Sequence, residues 1–332
     1  MGCAGGPTAK EWIVNYRRLG KHGIKVSDIS LGAWLTYGAS VEADNAVTII
    51  HAAIDAGVNY IDIADIYAKG EAEKVVGRAI KDHKRSDLVI SSKLFWPMSD
   101  NINDRGLSRK HILESVEQSL KRIGTDYLDL YFCHRFDPET EVEETVRAMS
   151  DLVTQGKVLY WGTSVWESEQ IEQAVGEAKA HSCYLPAVEQ PRYNMLDRHV
   201  EPAIMPTCAR NGMGMVVWSP LAQGILTGKY NDGAAKGTRG ADTMWLAGQL
   251  TDENIDKVKQ LGEIAKELDI AIGQLALAWV LRRKEISSAI TGATKVAQLQ
   301  ENVAASEIKL EAGILERIEK IIGEAPRTKF KF

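Results

Sequence analysis

Apolar residues along the chain recur in two alternating rhythms. Short, β-rich runs are followed by longer segments with helical spacing. The runs are ISLGAW (29–34), YIDIAD (60–65), LVISSKL (88–94), YLDLYFCH (127–134), YWGTSV (160–165), AVEQPRY (187–193), GMVVWSP (214–220) and SSAITG (287–292), eight in all. Between them, DNAVTIIHAAIDAG sets Val47, Ile50 and Ile54 on one stripe and ends at Gly57, a residue suited to close a helix. SRKHILESVEQSLKRIG opens with Ser108 as a candidate N-cap and closes on basic residues before Gly124, so both ends suit the helix dipole. TVRAMSDLVTQG ends at Gly156 in the same way. Repeated strand–helix units imply parallel strands joined by right-handed crossovers. Eight of them predict an α/β fold, a closed (β/α)8 TIM barrel. An open doubly wound sheet is the alternative; against it, no G-x-G-x-x-G follows the first strand.

Three segments lie outside the repeat. VNYRRLGKHGIKVSD (14–28) predicts an N-terminal β-hairpin turning at His22–Gly23, and GILERIEKIIG predicts an extra C-terminal helix. The stretch 222–250 is rich in Gly and Ala and interrupts the alternation after the seventh strand, as an active-site or ligand loop would. No Pro/Gly/Ser linker divides the chain, so one barrel domain is expected over 14–323, with tails at 1–13 and 324–332.

Composition narrows the picture. At 332 residues, 45% of them hydrophobic, the chain has material for a sizeable core. A net charge of -5 gives no electrostatic reason to expect nucleic acid, though it leaves room for a basic pocket holding a small anion. Cys3, Cys133, Cys183 and Cys208 form no C-x-x-C pair and no zinc spacing, so reduced thiols, no metal site and a cytoplasmic location are expected. No apolar run reaches spanning length, and no signal-peptide core opens the chain. MGCAGGPT has the beginning of a myristoylation signal, but Gly6 stands where Ser or Thr is usual, which favours a plain tail.

In such a barrel the reactive groups stand at the C-terminal ends of strands. Polar residues there are Asp62 and Asp65 with Tyr67 just beyond, Lys93, His134 and Arg135, Ser164, Glu189 and Gln190, then Trp218 and Ser219. Taken singly, Asp62 reads as a helix cap, Lys93 as a surface strand end and His134 as a satisfied core histidine. Their co-occurrence at three successive strand ends favours chemistry. A phenol titrates near ~10, and an ammonium beside it lowers that value. A carboxylate keeps the ammonium charged, and an imidazole aligns a carbonyl oxygen. Together they make a general acid for C=O reduction, with hydride from a cofactor. Asp65 reads as a support for the Tyr67 loop. Trp34, Tyr37, Trp96 and Trp166 lie just past strand ends and are candidates for an apolar substrate wall.

The same residues carry a family resemblance. YIDIADIYAKGEAEKVVGRAI, LVISSKLFW, RIGTDYLDLYFCHRFD, WSPLAQGILTGKY and TGATKVAQLQEN resemble, in order, five motifs of the aldo-keto reductases, and within them the branch of the potassium-channel β-subunits and their bacterial relatives. The resemblance runs from about Tyr16 to Gly323. It implies a catalytic tetrad of Asp62, Tyr67, Lys93 and His134. The channel β-subunits tend to carry Asn at the last place, so His134 favours an active reductase over a redox-sensing or channel-associated module. It also implies NADP(H), bound without a Rossmann motif. Ser164 and Gln190 would hold the carboxamide and Trp218 would stack on the nicotinamide, with Trp34 a further cofactor contact. Ser219, Pro220, Leu221, Gln223, Gly224, Lys229 and Arg239 would cover the pyrophosphate. Gly292, Thr294, Gln298, Glu301 and Asn302 would surround the adenosine. Apart from the resemblance, Lys295, just ahead of a helix N-terminus, suits a 2′-phosphate, with a solvated lysine as the alternative. Val165 departs from the polar or basic residue frequent after Ser164. GILTGKY lacks P-loop spacing, which argues against nucleotide hydrolysis. A Schiff-base role for Lys93 is a further alternative. Expected partners are a small carbonyl substrate and, among relatives ranging from monomers to rings, a second copy of the chain.

Overall fold

A computed structural model describes residues 14–33, 42–233, 246 and 249–325. Trp34, Tyr37, Arg239, the tail 1–13 and most of the C-terminal tail lie outside the described residues. Ten strands are present among the described residues. β1 (Tyr16–Arg18) and β2 (Lys25–Ser27) pair antiparallel as the expected hairpin. β3 (Ile29–Gly32), β4 (Tyr60–Asp62), β5 (Val89–Leu94), β6 (Leu128–Cys133), β7 (Val158–Thr163), β8 (Val188–Glu189), β9 (Gly214–Val217) and β10 (Ile286–Thr291) close into a parallel barrel in chain order, β10 returning to β3. All eight runs anticipated from the sequence are staves of it. The closed barrel excludes the open-sheet alternative.

Alternation along the staves divides the interior from the helix layer. Tyr60, Val89, Leu130, Phe132, Val188, Val216 and Ile290 form one buried cluster inside the barrel, joined by Leu19 and Val26 of the hairpin. Several of these residues stand at or near the N-terminal ends of their strands. The hairpin therefore plugs that end, with Lys21 N–H on the Gly212 carbonyl (2.9 Å) and Ser287 Oγ on the Arg18 carbonyl (2.9 Å). The opposite end is left to polar residues.

Ten helices surround the staves among the described residues: α1 (Ala43–Asp55), α2 (Glu71–Ile80), α3 (Arg109–Ile123), α4 (Val142–Thr154), α5 (Ser168–Ala180), α6 (Ile204–Asn211), α7 (Asp252–Glu267), α8 (Ile272–Leu281), α9 (Val296–Ala304) and α10 (Ala312–Ile322). Ser108 accepts the His111 N–H at 3.3 Å and Gly124 is left-handed (φ 74°), so α3 is capped as expected at both ends. The face of α1 differs from expectation. Ala46, Ile49, Ile50 and Ala53 are buried, while Val47 and Ile54 are half-buried. Ala46 and Ala53 permit close approach beside Ile49 and Ile50, and Val47 and Ile54 pack, partly buried, against the same core. A tight approach also fixes α2 on α3: a methyl group at Gly77 would lie 2.2 Å from the Ile123 carbonyl oxygen.

Candidate active site

The interior alternation carries Tyr60 and Asp62 of β4, Ser91 and Lys93 of β5, and His134 just past β6 toward the open end. The Lys93 ammonium donates to Asp62 Oδ2 at 2.6 Å and to the Ile63 carbonyl at 2.7 Å, and both side chains are buried. Asp62 Oδ1 accepts from Ser91 Oγ (2.7 Å), Gln190 Nε2 (2.8 Å) and Tyr60 OH (3.3 Å). A buried ion pair of this kind persists only where the remaining lone pairs are satisfied, and here they are. Burial lowers Lys93 while the Asp62 carboxylate opposes that shift. Ser91 and Tyr60 were not singled out from the sequence. The signal for both was available: each stands two residues before a selected residue on the same inward face.

Tyr67 begins a single 3₁₀ turn after β4. Ala68 (φ 49°), Lys69 (φ 54°) and Gly70 (φ 89°) follow in left-handed conformation, two of them with side chains that disfavour it. Lys69 Nζ donates to the carbonyls of Pro97 (2.9 Å) and Met98 (3.3 Å), clamping this turn to the loop after β5. Lys93 Nζ lies 5.2 Å from the centre of the Tyr67 ring, and the Tyr67 and His134 rings meet edge-on at 5.9 Å. The four residues expected to act together are thus neighbours at the open end. The phenol departs from expectation in one respect. Burial first, then the Asp62 carboxylate, pushes Tyr67 well up instead of down. The Arg135 charge opposes that shift without cancelling it.

Burial, then the charges of Lys93 and Arg135, pushes His134 well below the usual imidazole range, so it is neutral. Its Nδ1 is buried without a hydrogen-bond partner among the described residues. Trp96, 37% exposed, stands edge-on to His134 at 6.4 Å and has Arg135 over its ring at 5.5 Å. Trp166 corrects the expected substrate wall. It is 1% exposed and packed edge-on against Phe136 at 5.0 Å, so it belongs to the core beneath the mouth.

Asp65 and Glu189 are buried carboxyls with local tasks. Asp65 accepts from Ser115 Oγ at 3.2 Å and its N–H donates to the Lys93 carbonyl at 3.2 Å. Burial, then the Glu73 carboxylate, pushes Asp65 up to about 8. Glu189 Oε1 accepts the N–H groups of Val165 (2.7 Å) and Trp166 (3.3 Å), and Oε2 accepts from Thr163 Oγ1. Val165 is left-handed (φ 61°), unusual for a β-branched residue, and Glu189 holds it there.

Around the far side of the mouth, Trp218 and Ser219 (φ 51°) lead into a turn at Ala222–Thr227 in which Ala222, Gln223 and Gly224 are left-handed. Gln223 Nε2 is buried and unpartnered among the described residues, and a methyl group at Gly224 would lie 2.5 Å from Lys229 Nζ. Next to this turn's neighbour β10, Gly292, Lys295, Gln298 and Glu301 are exposed and Asn302 is buried. Thr294 donates to Gln298 Oε1 from both N–H (2.9 Å) and Oγ1 (3.0 Å), and Lys295 caps α9.

The Aldo/keto reductase family model matches residues 28–323. The chain belongs to the aldo/keto reductase family. Among curated proteins it is 45% identical over 323 residues to a "Probable voltage-gated potassium channel subunit beta" of Arabidopsis thaliana, covering 95% of this chain and 98% of that one. A protein of the same name from Oryza sativa subsp. japonica is 43% identical over 327 residues, with 95% and 98% covered. One from Schizosaccharomyces pombe with a similar subunit name is 44% identical over 325 residues, with 94% of each chain covered.

For an aldo/keto reductase, the residues at the mouth suit a nicotinamide nucleotide. Gln223 offers an orphaned donor, the Gly224 backbone can be approached closely, and Lys229 and Lys295 are exposed cations. The carboxamide end is more occupied than expected. Gln190 gives its amide N–H to Asp62, and Ser164 Oγ gives its proton to the Gln190 carbonyl (2.9 Å).

Proposed function

We propose that this chain reduces aldehydes and ketones to alcohols with NADP(H), Tyr67 giving the proton. The observation that carries the reading is the buried Asp62–Lys93 pair beside Tyr67 and a neutral His134 at the open end of the barrel. The nucleotide, when bound, supplies hydride to the carbonyl carbon. As negative charge grows on the carbonyl oxygen, that oxygen becomes far more basic than a phenolate, so Tyr67 can protonate it even with its pKa pushed up. The upward shift keeps the phenol protonated at neutral pH, the state that reduction requires. Lys93, held charged by Asp62, then stabilises the phenolate left behind. His134, neutral and beside Tyr67, offers a hydrogen bond that orients the carbonyl. Trp96 forms one apolar wall.

Lys229 and Gln223 would lie over the pyrophosphate. Lys295, at the N-terminus of α9, would meet a 2′-phosphate, which favours NADPH over NADH. The test is turnover of 4-nitrobenzaldehyde with each nucleotide. Consumption of NADPH with a KM at least tenfold below that for NADH is expected; no carbonyl-dependent consumption of either would overturn the reading. The names of the relatives favour a second reading, a nucleotide-binding subunit of a potassium channel with slow turnover. Single-turnover kinetics limited by nucleotide exchange would support it.

A further inference from the structure

Arg135 is a strong cation of the mouth that the proposed reduction does not use. It follows His134 directly at the end of β6. Its guanidinium lies 5.5 Å over Trp96, and Nη1 donates to the His134 carbonyl. It is half-buried. Burial lowers its pKa, and it acts electrostatically on both Tyr67 and His134. No carboxylate among the described residues forms an ion pair with it. Glu189 acts on its charge from a distance, but both Glu189 oxygens are engaged by Val165, Trp166 and Thr163.

A guanidinium taken partly out of water usually has a carboxylate beside it, because its remaining donors otherwise lose solvation without return. Arg135 has a backbone carbonyl and an aromatic face instead. Nearby charge makes the arrangement less favourable still, since Lys93 is cationic. The position separates its task from nucleotide binding. The exposed lysines 229 and 295 lie beyond β9 and β10, whereas Arg135 stands with Trp96 and His134 on the substrate wall.

We propose that Arg135 binds an anionic group of the substrate, so that the site selects carbonyl compounds bearing a carboxylate. The inference rests on the reductase reading for its substrate, not for its geometry. A planar guanidinium pairs with a carboxylate through two parallel hydrogen bonds, which gives orientation as well as attraction. Trp96 under the guanidinium would pack on the body of the same molecule. The carboxylate would also be pulled toward a mouth that already holds Lys93, without competing for the proton of Tyr67.

The experiment compares 4-carboxybenzaldehyde with its neutral isostere 4-formylbenzamide, using NADPH. The wild type should favour the carboxylate in kcat/KM by about tenfold or more, as expected of a charge-assisted pair. Arg135→Met should bring that ratio to about one, and Arg135→Lys should leave an intermediate ratio. The ratio is read because loss of the charge beside Tyr67 affects both aldehydes alike. A wild-type ratio near one, or an unchanged ratio in Arg135→Met, overturns the proposal. Binding of the unreactive dianion terephthalate and of terephthalamide, followed by tryptophan fluorescence, gives a readout independent of turnover. If neither aldehyde is reduced, the reductase reading fails, and the two binding constants decide Arg135 alone. Selective terephthalate binding lost in Arg135→Met upholds it, and equal binding of the two ligands overturns it.

Discussion

Asp65 shows how one residue can bias the molecule without touching the reacting atoms. Its carboxyl is pushed up to about 8 by burial, and by Glu73 second, whereas an unfolded chain titrates it near ~4. Between those values the folded protein keeps a proton that the unfolded chain has released. Asp65 therefore contributes stability fully at low pH and loses it as pH rises toward about 8. Asp65→Asn stays neutral throughout, so its melting temperature should fall less than the wild type's between pH 5 and pH 8, by roughly 1–2 °C per kcal/mol of difference in a chain of this length. Parallel pH profiles for the two proteins would contradict this. Single residues were unevenly legible in the sequence. Asp62, Tyr67, Lys93 and His134 could be picked out because polar groups at strand ends are anomalous against an apolar pattern. Trp166 could not be placed, because sequence position past a strand does not say whether a large side chain turns to the mouth or to the helix layer. The pairing of Lys93 with Asp62, and the burial that pushes Tyr67 up, depend on distances and packing that sequence does not carry.

At the scale of elements, strained turns are held by polar anchors at the ends of the staves. Val165 is the clearest case. A β-branched residue in the left-handed region costs about 1–3 kcal/mol, and Glu189 of the neighbouring stave offsets that cost through two backbone N–H groups. Val165→Gly removes the strain and adds about 0.5–1 kcal/mol of backbone entropy cost. The balance predicts a melting temperature unchanged or raised by up to roughly 2–4 °C. A clear fall in thermal melting would mean that packing of the Val165 side chain outweighs the strain. The turn conformations were not legible, since Ala68, Lys69, Ala222 and Gln223 are not residue types that announce positive φ. The staves were legible because eight runs of period-two or continuous apolar character lie between helical spacings. The buried face of α1 was less so, because Ala46 and Ala53, two of its buried residues, carry little hydrophobic signal.

At the scale of the molecule, the two ends of the barrel are built for different purposes. Leu19 and Val26 join the interior cluster and close one end with apolar packing. The other end gathers a buried ion pair, a protonated phenol, a neutral imidazole and an arginine without an ion-pair partner among the described residues. No helix among the described residues is long and apolar enough to cross a membrane. The family, which the motif order already implied, follows from the match over 28–323. What the family alone leaves open is whether this mouth turns over. The measurement that decides it is the rate of carbonyl reduction by Tyr67→Phe at saturating NADPH, with nucleotide affinity determined on the same protein. A fall of about 10²–10⁴-fold with nucleotide affinity retained is the predicted result, as expected for loss of a positioned general acid. A rate within a few-fold of wild type would contradict the assignment of Tyr67 as the proton donor.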